Sequence, residues 1–342
     1  MQRFVVVGLD HRHVYDLTQG LLDAGLGCAG YWTGTSDPRV LQGFRERFPQ
    51  LQAVDDRAAL MRDRSAGILV CAAIPRDRAG VAIEAMQHGK DVLMDKPGVT
   101  TSADLAALQH AVATTGRIFS VCFSERFLAP STTVALRLIR AGEIGRVVHT
   151  AGFGPHRLNR ALRPAWFFDP AAYGGILCDI ATHQIDQFLA FTGSDDAQIV
   201  TSTVGLFDDP RAPGFENFGE IVLRSATASG YCRVDWFTPD RLPTWGDGRL
   251  TVVGTEGTIE LRKYLDIEGR PGADHLFLSN RADTRYIDCS KEPLRYFAEF
   301  ARDCQARTET AMPQSHVFTV CRLALAAQAG AVRIALPGGV PR

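Results

Sequence analysis

The chain has 342 residues, 46% hydrophobic and 22% charged, with a formal net charge of −1. That length suggests two domains with ample material for a core, and the near-neutral balance gives no electrostatic case for nucleic acid or a membrane surface. No apolar run approaches the roughly 18 residues of a membrane span, and the first predicted strand starts at Phe4, leaving no room for a signal peptide, so a cytoplasmic protein is expected. Eight cysteines are scattered without any CxxC pair, several inside apolar runs such as Ile68-Leu69-Val70-Cys71. Reduced, buried thiols explain them better than disulfides or zinc, and no metal site is expected.

Phe4-Val5-Val6-Val7 suits a strand buried on both faces, and Val14 to Ala24 reads as a helix stopped near Gly25. Strands then alternate with helices: strand 28–32, helix 40–48, strand 67–73, helix 78–88, strand 92–94, helix 102–115 capped by Ser102, strand 118–123. This alternation predicts a parallel, doubly wound sheet. Past Phe123 the pattern changes to a helix over 130–141 and strands near 147–153, 199–207, 219–224, 229–237, 250–253, 258–262 and 285–287. Segments such as Glu220-Ile221-Val222-Leu223-Arg224 alternate apolar and polar residues, which favours an antiparallel sheet with one face available. Helical signals return over 293–307 and 317–331. The expected division is a dinucleotide-type domain over 1–123 and an α+β domain over 124–342, the final helix (about 315–331) packing back on the first domain.

Two stretches carry chemistry. Tyr173 to Leu189 opens on Gly174-Gly175 and continues as a helix to about residue 191, with Asp179 and His183 four apart and so on one helix face. Asp91-Val92-Leu93-Met94-Asp95-Lys96-Pro97 ends a strand on a lysine fixed toward extended backbone by the following proline. The first loop, Gly8-Leu9-Asp10-His11-Arg12-His13, keeps one glycine of the G-x-G-x-x-G expected of a dinucleotide fold. Asp10 repels a phosphate if it points inward, whereas His11, Arg12 or His13 offset that by donating to it. At the end of the second strand Thr33, Thr35 and Ser36 stand where a ribose-binding acid is usual, with Asp37 and Arg39 just beyond, so NAD and NADP both stay open.

Taken together, the Asp95-Lys96-Pro97 stretch, Gly142-Glu143-Ile144-Gly145, and Gly174-Gly175 followed by Asp179 and His183 resemble the glucose-fructose oxidoreductase, inositol dehydrogenase and rhizopine catabolism family (Gfo/Idh/MocA) over essentially the whole chain. The resemblance implies a Rossmann domain, a second domain with an open antiparallel sheet that commonly makes subunit contacts in a homodimer or homotetramer, and NAD- or NADP-dependent chemistry on sugars or cyclitols. It makes Lys96 the catalytic lysine, Asp179 the helix acid and His183 the catalytic histidine. Cofactor contacts are expected from the loop 8–13, from Thr33, Thr35 and Ser36, from Ala73 and Pro75, and from Asp95 and Lys96. The chain departs from the family at Asp95, where Glu is usual, at Ala79, where a histidine is common, and in its depleted glycine loop.

The residue types suit the reaction. Removing hydride from a carbinol carbon leaves a hydroxyl proton for a base such as His183, and a cation such as Lys96 stabilises the charge developing on oxygen. Asp179 either holds substrate or keeps Lys96 charged. Substrate recognition is expected from residues 154–169, with His156, Arg157, Arg163 and Trp166 beside Asp179 and His183, and three arginines in that segment allow for an anionic polyol. Two other readings stay open: a lyase or glycosidase that oxidises its substrate transiently, and a non-catalytic ligand-binding homologue with weakened nucleotide affinity.

Overall fold

A computed structural model describes residues 1–35, 37–207 and 211–334. They divide into two compact units, the first made of residues 1–122, 164–174 and 295–321, the second of 123–163, 175–294 and 322 onward. The opening elements are β1 (Arg3–Leu9), α1 (Val14–Asp23), β2 (Gly27–Trp32), α2 (Pro38–Arg47), β3 (Ala53–Val54), α3 (Arg57–Arg62), β4 (Ile68–Ala72), α4 (Arg78–Gln87), β5 (Asp91–Asp95), α5 (Ser102–Thr115) and β6 (Phe119–Cys122). There follow α6 (Ser124–Phe127), α7 (Pro130–Arg140), β7 (Val147–Pro155), α8 (Pro170–Tyr173), α9 (Ile176–Asp179), α10 (Ala181–Thr192), β8 (Gln198–Gly205), β9 (Phe218–Arg224) and β10 (Ser229–Asp235). The chain closes with β11 (Arg249–Gly254), β12 (Gly257–Arg262), β13 (His275–Asn280), β14 (Thr284–Asp288), α11 (Tyr296–Ala306), α12 (Gln314–Ala329) and β15 (Val332–Ile334).

In the first unit the strands run β3-β2-β1-β4-β5-β6, all parallel, as the alternation of strands and helices predicts. Val5, Val6, Val7, Leu69, Val70, Val92 and Leu93 are fully buried because helices cover both faces. Strand order reverses between β1 and β4, and in such sheets ligands bind beyond the carboxyl ends of the strands at that point. The helices from 295 to 321 complete this unit. Phe297 lies over Gly20 of α1, where an added Cβ would stand 2.2 Å from the ring. The Tyr296 hydroxyl meets Ser120 at 2.9 Å, Gln314 accepts from the Phe119 amide, and Arg307 grips the Asp91 carboxylate at 2.7 and 2.9 Å.

The second unit is a nine-stranded open sheet, β14-β13-β12-β11-β7-β10-β9-β8-β15. Its ladders are antiparallel except β7 with β10 and β8 with β15. Strand β13 escapes sequence reading because Leu276-Phe277-Leu278 does not alternate: Phe277 occupies the more open face, where Tyr286 and the Arg270 guanidinium cover its ring. Strand β15 is three residues long and exists only through pairing with β8. The helix expected over residues 175–191 is two helices. It breaks at Ile180 (φ −102°, ψ −44°), so Asp179 ends α9 and His183 lies in the first turn of α10.

Helices α9 and α10 lie against the sheet at positions where the strands carry glycine. A Cβ on Gly152 would stand 2.2 Å from Gln184, one on Gly219 2.6 Å from Leu177, and one on Gly230 2.6 Å from Phe188. Glycine ordinarily weakens a strand. Here it sets how close the helices approach, which leaves α10 buried at every position from Ala181 to Leu189. Gly230→Ala is therefore expected to destabilise the protein by about 1–3 kcal/mol through overpacking, despite alanine's smaller entropy cost, read as a lower chemical-denaturation midpoint.

Candidate active site

Gly8 is the loop glycine that the geometry cannot replace. Its φ is +87°, and a Cβ there would stand 2.8 Å from the Ala73 amide nitrogen. The amides of Asp10 and His11 both donate to the Ala72 carbonyl at the end of β4. Asp10 turns toward the chain itself, accepting from the Thr35 hydroxyl at 3.0 Å, so its carboxylate is engaged next to the loop it was expected to burden. Thr35 also donates to the Leu9 carbonyl, and Thr33 donates to Asp55. Asp37 caps α2 and pairs with Arg39 at 3.1 Å. Ser36 lies outside the described residues. Pro75 opens a turn of 3-10 helix after β4, and Ala79 is buried in α4.

At the end of β5, Asp95 is 1% exposed and densely liganded. Its carboxylate lies 2.7 Å from His13 Nδ1 and 3.2 Å from His11 Nδ1, and accepts from Arg78 at 2.8 Å. Arg78, also buried, donates further to the carbonyls of Ala73, Asp95 and Pro97. Burial alone would raise the Asp95 carboxyl, but the charges of His13 and Arg78 hold it well below the usual carboxylate range. Burial, aided by the His13 charge, pushes His11 down to about 3. The donor atoms of His11, His13 and Asp95 lie within 4.8 Å of one another, a composition that suits a divalent cation. The Arg78 guanidinium already occupies this carboxylate, however, and a dication would sit beside a buried cation. The cluster fits an ion-paired network that braces the first loop against β5 better than it fits a metal centre.

Lys96 follows immediately, 4% exposed, and its charge reaches His11. The unit thus offers a dinucleotide a positive-φ glycine closely backed by Ala73, the amino end of α1, and a buried lysine at the carboxyl edge of the sheet. These features fit a nicotinamide dinucleotide even though two glycines of the usual loop are gone.

The second unit carries Asp179 and His183, 9% and 1% exposed. Asp179 donates its amide to Gly175, the His183 amide donates to Ile180, and the His183 carbonyl accepts from Gln187. Arg126 of α6 clamps the fully buried Asp186 with two bonds of 2.7 Å, fixing α10 one turn beyond the histidine. Beside His183, Gln184 donates to Glu125 at 2.8 Å, and Lys263 donates to the same oxygen at 2.9 Å. Neither Glu125 nor Lys263 stands out in the sequence, because a lone Glu in a four-residue helix and a lone Lys after a strand read as surface residues.

The residues expected to recognise substrate are divided between the two units. His156 packs edge-on against Trp245 at 4.5 Å and Trp236 at 5.4 Å, and Arg163 lies over Trp236 at 5.2 Å. Both arginines also serve the chain itself: Arg157 donates to the carbonyls of Pro239 and Leu242, Arg163 to those of Leu158 and Arg157. Trp166 belongs to the first unit, packed against Phe167, which stacks on Tyr173. Trp245, 46% exposed between His156 and Tyr264, is an aromatic that sequence reading passed over, because its loop offers no periodicity.

Comparison with known proteins gives this geometry its context. Residues 35–123 match a family model described as an oxidoreductase family with an NAD-binding Rossmann fold, and residues 133–260 match the GFO/IDH/MocA C-terminal domain. A solved structure from Erwinia carotovora atroseptica SCRI1043, named as an oxidoreductase, is 44% identical, covers 98% of this chain and 100% of its own, and superposes with a TM-score of 0.94. The scyllo-inositol 2-dehydrogenase (NAD(+)) of Bacillus subtilis strain 168 is 25% identical over 88% of this chain and 86% of that protein. Levoglucosan dehydrogenase, solved with NADH and levoglucosan, shares the fold at a TM-score of 0.70 and 17% identity, covering 97% of this chain and 91% of its own. The first match begins past the glycine-poor loop, while the relative of 44% identity spans nearly everything, and on both grounds the chain belongs to the GFO/IDH/MocA family of NAD-binding oxidoreductases.

Proposed function

We propose that the protein is an NAD(P)-dependent dehydrogenase that interconverts a hydroxyl and a keto carbon on a sugar, cyclitol or related polyol. The observation that carries this reading is the burial of Lys96 and His183, at 4% and 1% exposure, in a family of NAD-binding oxidoreductases. Burying such groups is costly and is kept where their chemistry is needed. The names of the relatives, an inositol dehydrogenase and a levoglucosan dehydrogenase, support a polyhydroxylated ring as substrate.

Bound nicotinamide supplies the hydride acceptor. Gly8 to His13, Ala73 and Lys96 are the residues we assign to hold it, with Asp95 acting through His11, His13 and Arg78 rather than by direct contact. Lys96 donates to the reacting oxygen and stabilises the negative charge that grows there. His183 takes the hydroxyl proton on a ring nitrogen in the oxidative direction and returns it in the reductive one. Asp179, buried at the end of α9, orients the substrate. Trp245, 46% exposed beside His156, is the open aromatic of the second unit that we assign to recognition together with His156, Arg157 and Arg163. We place the protein in the cytoplasm, a reading supported by eight cysteines that are all free thiols. No helix among the described residues is long and apolar enough to cross a membrane.

His183→Ala and Lys96→Ala are each expected to lower turnover about a hundredfold or more while calorimetric affinity for the dinucleotide survives. The rise of oxidative rate with pH should vanish in the His183 variant. Near wild-type turnover of a cyclitol or sugar by His183→Ala would show the histidine to be structural. A second expectation concerns assembly. The strands β9, β10 and β11 alternate buried with half-covered positions, and the half-covered face, carrying Phe153, Tyr231 and Arg233, suits a second copy of the chain. Light scattering should report a dimer or tetramer of the 37.3 kDa chain, and a monomer across a wide concentration range would refute this.

A further inference from the structure

The second unit holds a charge pair that the reaction outlined above does not use. Glu125, at 2% exposure, and Lys263, at 1%, meet at 2.9 Å. Replacing a buried pair by apolar residues is often neutral or stabilising, so stability alone is a weak reason to keep one. Its position gives a better reason. The Glu125 oxygen that takes Lys263 also takes the side-chain amide of Gln184, the residue next to His183 on α10. Gln184 is itself wedged against β7, where only the absence of a side chain on Gly152 makes room for it. Burial would raise the Glu125 carboxyl, yet Lys263 first, then His183 and His156, bring it down to about 2. The imidazole of His183 and the Glu125 carboxylate therefore feel one another's charge, and by reciprocity whatever His183 does for Glu125, Glu125 does for His183.

We infer that Glu125 and Lys263 are positioning residues for His183: through Gln184 they fix the first turn of α10, and their opposed charges set how readily the imidazole takes a proton. This rests on His183 as the base only for its catalytic consequence. Asp274, in the field of Lys263, accepts from the amide and hydroxyl of Ser131, and the other charged groups of the surrounding elements are paired. Arg126 and Asp186 neutralise one another across α6 and α10, Arg233 faces Asp235 at 3.2 Å on β10, Glu220 of β9 is bonded to Tyr231 and Thr203, and Arg137 of α7 is paired with Glu292. His156 and Tyr264 also lie within the field of Glu125, and Asp179 ends the neighbouring α9. Tyr264, its hydroxyl pushed well above the usual range by burial and then by Glu125, contributes no charge near neutrality.

The test is an NMR pH titration of histidine ring carbons in the full chain without cofactor, with the His183 signal assigned by its loss in His183→Gln. Glu125→Gln should lower the His183 midpoint and Lys263→Met should raise it, each on the order of one unit, or tenfold in proton affinity. The charge-neutral double variant Glu125→Gln/Lys263→Met should return the midpoint near wild type. It also guards against a single variant that fails to fold with one unpaired buried charge. An unchanged midpoint in the single variants, or shifts of the same sign, would overturn the inference. The pH dependence of turnover separates this inference from the functional reading. If the NMR midpoints move in opposite directions but the kinetic limb does not follow, the charge pair governs His183 while His183 is not the base. If both move together, with KM little changed, both stand.

Discussion

Each unit of this protein is organised around a carboxylate that has been taken out of water and kept ionised. An isolated buried carboxyl would shed its charge by taking up a proton. Asp95 avoids this with a guanidinium and two imidazoles, and Glu125 with an ammonium and an amide. The partners must then be held as well, and the way they are held fixes much of the local structure. Arg78 is gripped by three backbone carbonyls and so ties the end of β4 to the end of β5 and to Pro97. Of the positions where a dinucleotide loop usually carries glycine, 10 and 13 hold Asp and His here, and His13 joins His11 in tying the loop to Asp95.

Much of the architecture was legible because its signals were local. Buried parallel strands announce themselves as apolar runs such as Phe4-Val5-Val6-Val7, and the alternation in Glu220-Ile221-Val222-Leu223-Arg224 gives an open sheet face. The failures share one cause, tertiary context outweighing local pattern. Strand β13 carries an aromatic on its open face, and β15 is too short to show a period. The break at Ile180 is invisible in a stretch whose apolar positions continue at helical spacing across it.

The candidate catalytic groups stand out in the sequence, and the buried residues packed around them do not. Lys96 and His183 stand in stretches with recognisable punctuation, Lys-Pro after a strand and a double glycine before a helix. Arg78, Glu125, Gln184 and Lys263 have none, because a charged residue is ordinarily read as exposed and only the fold shows which ones are buried. In residues 154–169 the sequence shows three arginines but not that two of them, Arg157 and Arg163, also bond backbone carbonyls of the neighbouring loops. Composition can suggest that a segment binds an anion; it does not reveal that carbonyl oxygens of the chain satisfy the guanidinium first.

The helices from 295 to 321 belong to the same compact unit as the first 122 residues, and this has a consequence for biosynthesis. As the chain leaves the ribosome, the parallel sheet emerges without the partners of Ser120, Asp91 and Gly20, all of which lie more than 170 residues downstream. The amino-terminal portion must therefore wait, with part of α1 and the edge strand β6 uncovered, while the second unit is made. The first unit reaches its full set of contacts only once residue 321 has been made. A nascent chain of this design depends on the second unit collapsing promptly or on a chaperone shielding the first, and a release at residue 122 would yield an incomplete nucleotide-binding fold rather than a self-sufficient one.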